Sequence, residues 1–445
     1  MQLIPSAETF SSPAGSRDFS SQLQFEQRAS VRDITPISPA AAHERLSTIQ
    51  RLVRNRLQQW MSTMSWGQIE FLDAYSHAAH MNRSMDQDSP SCTWIVKSPE
   101  LYSRIAVSGA MGLAESYIRG DWATDDLTSL LRILYRQFEC QNQFRISLAD
   151  FALRIGRLME GLLGNSIARS RKQIAAHYDL SNEFFELFLD SSLMYSSAYF
   201  ERPDMTLEEA SKAKLNQICS KLQLRDGDEL LEIGTGWGGC ALHIANHHDV
   251  QITTTTISDK QYSKAAERFA AAECGDRIQL LRQDYRKLNG TYDKLISIEM
   301  IEAVGEKNLD IYFRKCGELL RPGGRIVIQA IVMPEQRYDS YRRSKDFIQK
   351  YIFPGGFLPS ISAIQQSVGR TTDFRLTHVD DLTPHYARTL LEWRMRFIKS
   401  LEEVRNLRFD EQFIRMWEYY LCYCEAAFRE QAVRVVQIAW DRPNR

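Results

Sequence analysis

The spacing of apolar residues changes near Glu229, and the change divides the chain into two differently built parts. Beyond it, short apolar runs alternate with amphipathic stretches. Glu229 to Ile233 reads as a buried strand, followed by a glycine-rich turn and a helix from Gly239 to His247. Gln251 to Ile257, rich in Thr and Ile, is strand-like, and Ala265 to Glu273 is helical. Ile278 to Leu281, Lys294 to Ile298 and Arg325 to Ile331 are further strands, the last entered through the turn Arg321-Pro322-Gly323-Gly324. Strands alternating with helices predict an α/β fold with a doubly wound, mostly parallel sheet. Such sheets bind ligands at the carboxyl ends of their strands, where the strand order reverses.

Upstream the period is helical. From Ala41 to Tyr75, Leu46, Ile49, Leu52, Leu57 and Trp60 recur at helical spacing. A short mixed segment covers Thr93 to Val107. Gly112 to Trp122 reads as a helix stopped by Gly120, and Asp125 caps the next. Residues 127–170 again read as helical. Residues 41–170 are therefore expected to form a smaller, mainly helical module, with a catalytic domain at 171–445. Residues 1–40, rich in Ser, Ala, Pro and Gln, read as a disordered leader. A chain of 445 residues fits two domains.

Composition narrows the function without selecting it. Hydrophobic residues at 44% and charged residues at 25% fit a soluble globular protein. The formal net charge of −1 lacks the basic excess expected of a nucleic-acid binder. No apolar run approaches the roughly 18 residues of a membrane-spanning helix, and the N-terminus lacks the basic-then-apolar pattern of a secretory signal. Eight scattered cysteines without a CxxC pair read as reduced thiols of a cytoplasmic protein.

The strongest chemical signal is Glu232-Ile233-Gly234-Thr235-Gly236-Trp237-Gly238-Gly239, where glycines let the backbone turn sharply and approach a ligand. The run carries an extra glycine, Gly238, one residue before Gly239, which holds the third position of a dinucleotide fingerprint. With the later Arg-Pro-Gly-Gly turn, this favours S-adenosylmethionine. No acid stands at Thr256-Ile257-Ser258, where many folds hold a ribose, although Asp259 follows. Gln283-Asp284-Tyr285 offers a carboxylate and an aromatic face for adenine, or is a solvated loop. His243 and His247 have metal-ligand spacing, but no third ligand lies nearby, so no metal is expected.

Several further runs resemble the cyclopropane fatty acid synthase family. They are Ala176 to Phe185 (AHYDLSNEFF), Met194 to Phe200 (MYSSAYF), Glu299 to Gly305 (EMIEAVG), Tyr351 to Gly356 (YIFPGG) and Pro384 to Leu390 (PHYARTL). They fall in the family's order across nearly all of 175–430. The resemblance implies a Rossmann-like class I methyltransferase domain that uses S-adenosylmethionine. Its cofactor would be touched by Tyr195 and Ser196, by Glu232, Gly234, Thr235, Gly236 and Gly238, and by Thr256, Ile257 and Gln261 near the ribose. Asp284 and Tyr285 would flank the adenine, with the backbone of Ile298 beside the sulfonium.

In this family an alkene attacks the sulfonium methyl and a bound bicarbonate removes the resulting proton. Its holders include a Cys, a Glu, a His and a Tyr. Here Glu302 and Tyr386 match, while Ser197 stands at the Cys position and Gln329 at the His position. A hydroxyl and an amide can both donate to a carbonate oxygen, but Gln cannot become cationic, which weakens anion binding. Tyr178 is grouped with these catalytic residues. So is Cys424, which aligns with a cysteine once proposed as catalytic, although a packed helix thiol is the favoured reading. Arg337, Arg342, Arg343, Lys345 and Lys350 would meet lipid phosphates or form a solvated helix face.

The resemblance thus implies methyl or methylene transfer to the double bond of an unsaturated fatty acyl chain in a membrane phospholipid, giving a cyclopropane. Proton loss elsewhere would give a methylene, which a partner reductase could turn into a methyl branch. A small-molecule C-methyltransferase and a non-catalytic cofactor-binding protein are the competing readings. A cytoplasmic enzyme peripherally associated with the membrane is expected, and a homodimer is left open.

Overall fold

The computed structural model describes residues 46–73, 75, 80–81, 89–140 and 180–444. The 1–40 leader, the helical reading of 141–170 and Tyr178 lie outside the described residues.

The catalytic part is a seven-stranded sheet. Its strands are β5 (Glu229–Ile233), β6 (Gln251–Thr256), β7 (Ile278–Arg282), β8 (Tyr292–Ile298), β9 (Leu320–Val332), β10 (Arg375–Asp381) and β11 (Arg434–Asp441), in the spatial order β10-β11-β9-β8-β5-β6-β7. The β9-β8-β5-β6-β7 portion is parallel, and β11 and β10 add on antiparallel at one side. Winding reverses at β5, which pairs with β6 on one side and β8 on the other. Near-continuous burial of β5, β6 and β8 explains their unbroken apolar and threonine runs. Helices α5 (Leu207–Leu222), α6 (Gly239–His247) and α7 (Asp259–Ala270) cover one face of the sheet. Helices α8 (Leu309–Leu319) and α10 (Ile361–Thr371) cover the other, separated by the short α9 (Glu335–Tyr341).

The N-terminal module is mainly helical, as expected, with α1 (Thr48–Ser62), α2 (Glu100–Arg119) and α3 (Leu127–Cys140). It also carries a four-stranded sheet that the helical reading missed. The strands are β1 (Gln68–Asp73), β2 (His80–Met81), β3 (Ser91–Val96) and β4 (Trp122–Thr124), in the order β2-β1-β3-β4. Residues 68–73 were expected to continue a helix. Instead Ile69, Phe71 and Asp73 alternate inward, the period of a strand. Helix α1 begins on a capping box from Ser47 to Gln50, and α2 stops at Gly120, which takes the left-handed conformation (φ 84°).

Helix α4 (Asn182–Glu186) leads into the loop before α5, and α11 (Thr383–Lys399), α12 (Leu401–Asn406) and α13 (Glu411–Arg429) close the chain before β11. Helix α13 packs on α11 and on both α2 and α3, so the two modules share one apolar core. Its fully buried Glu425 accepts hydrogen bonds from Arg394 Nε (2.8 Å), Arg429 Nε (2.9 Å) and Thr128 Oγ1 (3.3 Å). Burial opposes this charge, but the two guanidiniums outweigh it and hold the carboxyl below its ordinary range. Tyr117 OH donates to Glu418 (2.8 Å), and Arg415 Nη2 donates to the carbonyl of Trp122 (2.9 Å).

A buried ion pair that loses one partner leaves the other charge uncompensated, at about 3–5 kcal/mol. Glu425→Leu should lower the unfolding free energy by that amount in urea denaturation followed by tryptophan fluorescence. A loss below about 1 kcal/mol would mean that Arg394 finds water or another partner.

Candidate active site

The carboxyl ends of β5 and β6 form the first half of the site. Thr255 O accepts the backbone N–H groups of Gly234 (3.1 Å) and Thr235 (3.0 Å), pinning the glycine loop to the end of β6. Gly236 has φ 53°, and nothing lies within 4 Å of where a Cβ would stand, so its outer side is open. Gly238, with φ 85°, is glycine for a different reason: a Cβ there would stand 2.6 Å from the Phe269 ring on α7. Glu232 lies beneath the loop. Thr254 Oγ1 donates to its buried carboxylate (2.5 Å), and the Thr235 hydroxyl lies 2.7 Å from that of Thr254. Burial pushes the Glu232 carboxyl up to about 7, opposed by hydrogen bonds from Thr254 and Cys240.

The other residues expected near a cofactor line the same rim. Thr256 Oγ1 donates to Gln261 Oε1 (3.0 Å), and Ile257 is 76% exposed, unusual for isoleucine. Tyr285 packs edge-on against Tyr312 (5.4 Å). Asp284 accepts from Arg286 N (2.9 Å), Nε (2.9 Å) and Nη2 (2.6 Å), and these bonds hold its carboxyl below the ordinary range. Tyr195 OH is 2.8 Å from Tyr420 OH, and Ser196 Oγ accepts from Lys214 Nζ (2.8 Å). Ile298 ends β8 opposite Gln329 of β9. The open side of Gly236 and the exposed Ile257 fit a nucleoside cofactor lying across these strand ends.

The second half centres on a residue that the sequence reading quoted but did not select. Glu299 follows β8 in a left-handed backbone conformation (φ 48°), uncommon for a residue with a side chain. Its Oε1 accepts from Ser197 N (2.8 Å) and Gln329 Nε2 (2.8 Å), and its Oε2 from Tyr386 OH (2.8 Å). Burial raises its carboxyl against the pull of these three donors. Gln329 is itself oriented, because Gln437 Nε2 donates to its Oε1 (2.9 Å) and Lys221 donates to Gln437. Three of the four residues expected to converge on an anion therefore do converge, on a carboxylate of the chain itself.

Glu302 lies alongside. Its Oε1 accepts from Ile331 N, and its Oε2 is buried without a hydrogen-bond partner among the described residues. Burial, aided by the Glu299 charge, pushes it up to about 8, so near neutral pH Glu302 keeps its proton. The donors expected for bicarbonate are already taken: Gln329 and Tyr386 bond Glu299, and the Ser197 hydroxyl donates to Ala198 O (3.0 Å). A negative carboxylate in their midst also repels a second anion. The residues present do not fit a bound bicarbonate. The overlooked signal was Glu299-x-x-Glu302 straight after the fourth parallel strand, where ligand sites of such sheets lie.

Glu299, Glu302 and Tyr386 open onto a cavity of about 1840 Å³, larger than the usual 300–1,000 Å³ of small-molecule sites. Its walls come from both modules: Val53, Leu57, Trp60 and Leu134 from one, and Tyr195, Ile331, Phe353 and Tyr420 from the other. Cys424 also lines it, with burial holding its thiol protonated, which suits a wall better than a nucleophile. Among the basic residues flanking the Phe-Pro-Gly-Gly turn, Arg342 pairs with Glu306 (2.6 Å) and Lys350 with Glu115, and Arg337 donates to Ala432 O (2.8 Å). Arg343 and Lys345 are exposed.

Residues 165–438 match the profile of the mycolic acid cyclopropane synthetase family. The tuberculostearic acid methyltransferase of Mycobacterium tuberculosis is 38% identical over 371 residues, covering 79% of this chain and 83% of the relative. The cyclopropane-fatty-acyl-phospholipid synthase of Escherichia coli is 35% identical over 349 residues, 78% of this chain and 87% of the relative. Among solved structures, the cyclopropane synthase MmaA2 from Mycobacterium tuberculosis superposes with a TM-score of 0.56 at 31% identity, covering 61% of this chain and 98% of that one. A mycolic acid cyclopropane synthase complexed with SAH and CTAB gives 0.57 at 32%, with 61% and 98% covered.

The two glycines make opposite predictions. Gly236→Val adds atoms to open space, at a backbone cost of about 1–2 kcal/mol. It should leave a folded protein whose affinity for S-adenosylmethionine, measured by calorimetry, falls at least about tenfold, or 1.4 kcal/mol. Gly238→Ala should instead lower the melting temperature, because its new methyl meets Phe269. Undiminished affinity in folded Gly236→Val would remove the loop from the cofactor site.

Proposed function

This chain belongs to the mycolic acid cyclopropane synthetase family and is an S-adenosylmethionine-dependent methyltransferase; from that premise we propose that it adds one carbon to the double bond of an unsaturated fatty acyl chain, with Glu299 as its resident base. The observation that carries this is the Glu299 carboxylate, facing an apolar cavity and held by donors from three elements.

When bound, S-adenosylmethionine supplies an electrophilic methyl on a sulfonium. The apolar walls hold the acyl chain and exclude water, which would otherwise trap a carbocation. Tyr195, Phe353 and Tyr420 present aromatic faces to the cavity, and π-faces attract a developing cation. Glu299 then takes a proton from the transferred methyl. Direct loss closes a cyclopropane, while a preceding 1,2-hydride shift gives a methylene, so both outcomes take the proton from that carbon rather than, for the methylene, from elsewhere as first expected. Cyclopropane formation is the first reading. The methyl-branched outcome is favoured by the 38% identity to a relative named as a methyltransferase rather than a cyclopropane synthase.

The acyl chain is drawn from a phospholipid at a membrane surface. Exposed Arg343 and Lys345 beside the cavity-lining Phe-Pro-Gly-Gly turn support this reading, since such residues favour anionic headgroups. Among the described residues no helix is long and apolar enough to cross a membrane.

Glu299→Gln preserves shape and cannot accept a proton, so it should cut turnover at least about a hundredfold, the usual share of a positioned general base. Glu302→Gln mimics the protonated acid already present and should cost much less. The check is turnover on vesicles of unsaturated phospholipid, with mass spectrometry of the acyl products. A Glu302→Gln enzyme slower than Glu299→Gln would move the base to Glu302. Cyclopropane or branched acyl chains in the product would decide between the two outcomes.

A further inference from the structure

Lys214 lies on α5 with no surface exposed, an expensive place for an ammonium. Its Nζ donates to Ser196 Oγ at 2.8 Å, and the next residue, Ser197, gives its backbone N–H to Glu299 Oε1 at 2.8 Å. A buried cation thus stands two hydrogen bonds and one peptide unit from the proposed base. The titratable groups around it are mostly acids: Glu299 after β8, Glu232 on β5 and Asp190 in the loop after α4, with the Cys240 thiol on α6 kept neutral by burial. His243 on α6 also faces it, and burial keeps that imidazole neutral, pushed down to about 4. Glu299 in turn faces Glu302, Tyr386 and Tyr195, none of which carries positive charge. Burial is the larger influence and holds the Lys214 ammonium below its ordinary range, while the neighbouring acids, Glu299 first, work for its charge.

We propose that Lys214 is a positioning residue whose ammonium, anchored on Ser196, is the internal counter-charge of the Glu299 carboxylate and holds the Ser196–Ser197 segment against it. The assignment rests on the reading of Glu299 as the base. It explains why a lysine sits where an apolar residue would pack at lower cost, and why Ser196, whose hydroxyl is buried, is engaged from the α5 side. It also links the two halves of the site, because Lys214 faces both Glu299 and the Glu232 carboxylate beneath the glycine loop.

The test is the pH dependence of kcat in the full-length enzyme. Removing the cation disfavours the charged form of Glu299, so its pKa rises and the acid limb moves to higher pH. Lys214→Met should move that limb measurably to higher pH, the direction set by losing an opposite charge, while KM for S-adenosylmethionine changes little. Ser196→Ala, which keeps the lysine but frees its ammonium, should move the limb the same way and serves if Lys214→Met does not fold. Glu299→Gln, followed through its residual rate, should lose the limb altogether. A limb that persists in Glu299→Gln overturns the base reading. A limb that depends on Glu299 but is unmoved in Ser196→Ala and in folded Lys214→Met overturns the Lys214 assignment alone.

Discussion

A carboxylate buried in a protein must be met by donors, and the satisfaction of Glu299 organises the catalytic half of this molecule. Its three partners come from the loop before α5, from β9 and from α11. Hydrogen bonds to a charged group contribute about 1.5–3 kcal/mol each, and leaving such a group unmet costs more. The chain therefore gains by bringing these segments to the end of β8, and α11 is held there by α13 and by bonds from Arg396 to Glu208 and from Ala198 N to Thr389. Gln329 is a donor toward Glu299 because Gln437 occupies its carbonyl oxygen, fixing which end of the amide faces the acid. The left-handed backbone at Glu299 is local strain of the kind that persists where surrounding contacts over-determine it.

The cavity imposes the second constraint. Its walls are shared between the modules, so neither alone encloses the space where an acyl chain would lie. Helix α13 carries the junction: its Glu418, Glu425 and Arg415 each bond to residues of α2, β4 or α3. Among the described residues, the N-terminal module supplies apolar wall to the cavity that Glu299 and Glu302 also line. A chain begun near residue 171 would uncover Tyr419 and Tyr423 of α13, which now pack on Tyr117 and Tyr135.

Much of the fold was legible because burial writes itself into residue order. The β5-to-β9 alternation follows from strands buried on both faces, whereas the Arg-Pro-Gly-Gly stretch expected as a turn before the last of them lies within β9. The antiparallel pair β10 and β11 was not read, since β10 is an exposed edge whose composition resembles a loop. Strand β1 was missed because six residues with three inward positions are too short to outweigh the helical rhythm before them. At the site, Ser197, Gln329 and Tyr386 were found by matching positions to a family pattern. Glu299 was not, because such matching finds the holders of a group rather than a side chain standing in the group's place. Only three-dimensional placement shows that the donors are already spent.

That substitution of an internal carboxylate for an external anion is the central claim, and wild-type enzyme tests it without mutation. Turnover on unsaturated phospholipid vesicles is measured in buffer stripped of carbon dioxide, with and without added bicarbonate. An enzyme whose base is Glu299 should turn over at the same rate in both. A rate that collapses without bicarbonate and returns on its addition would contradict the account.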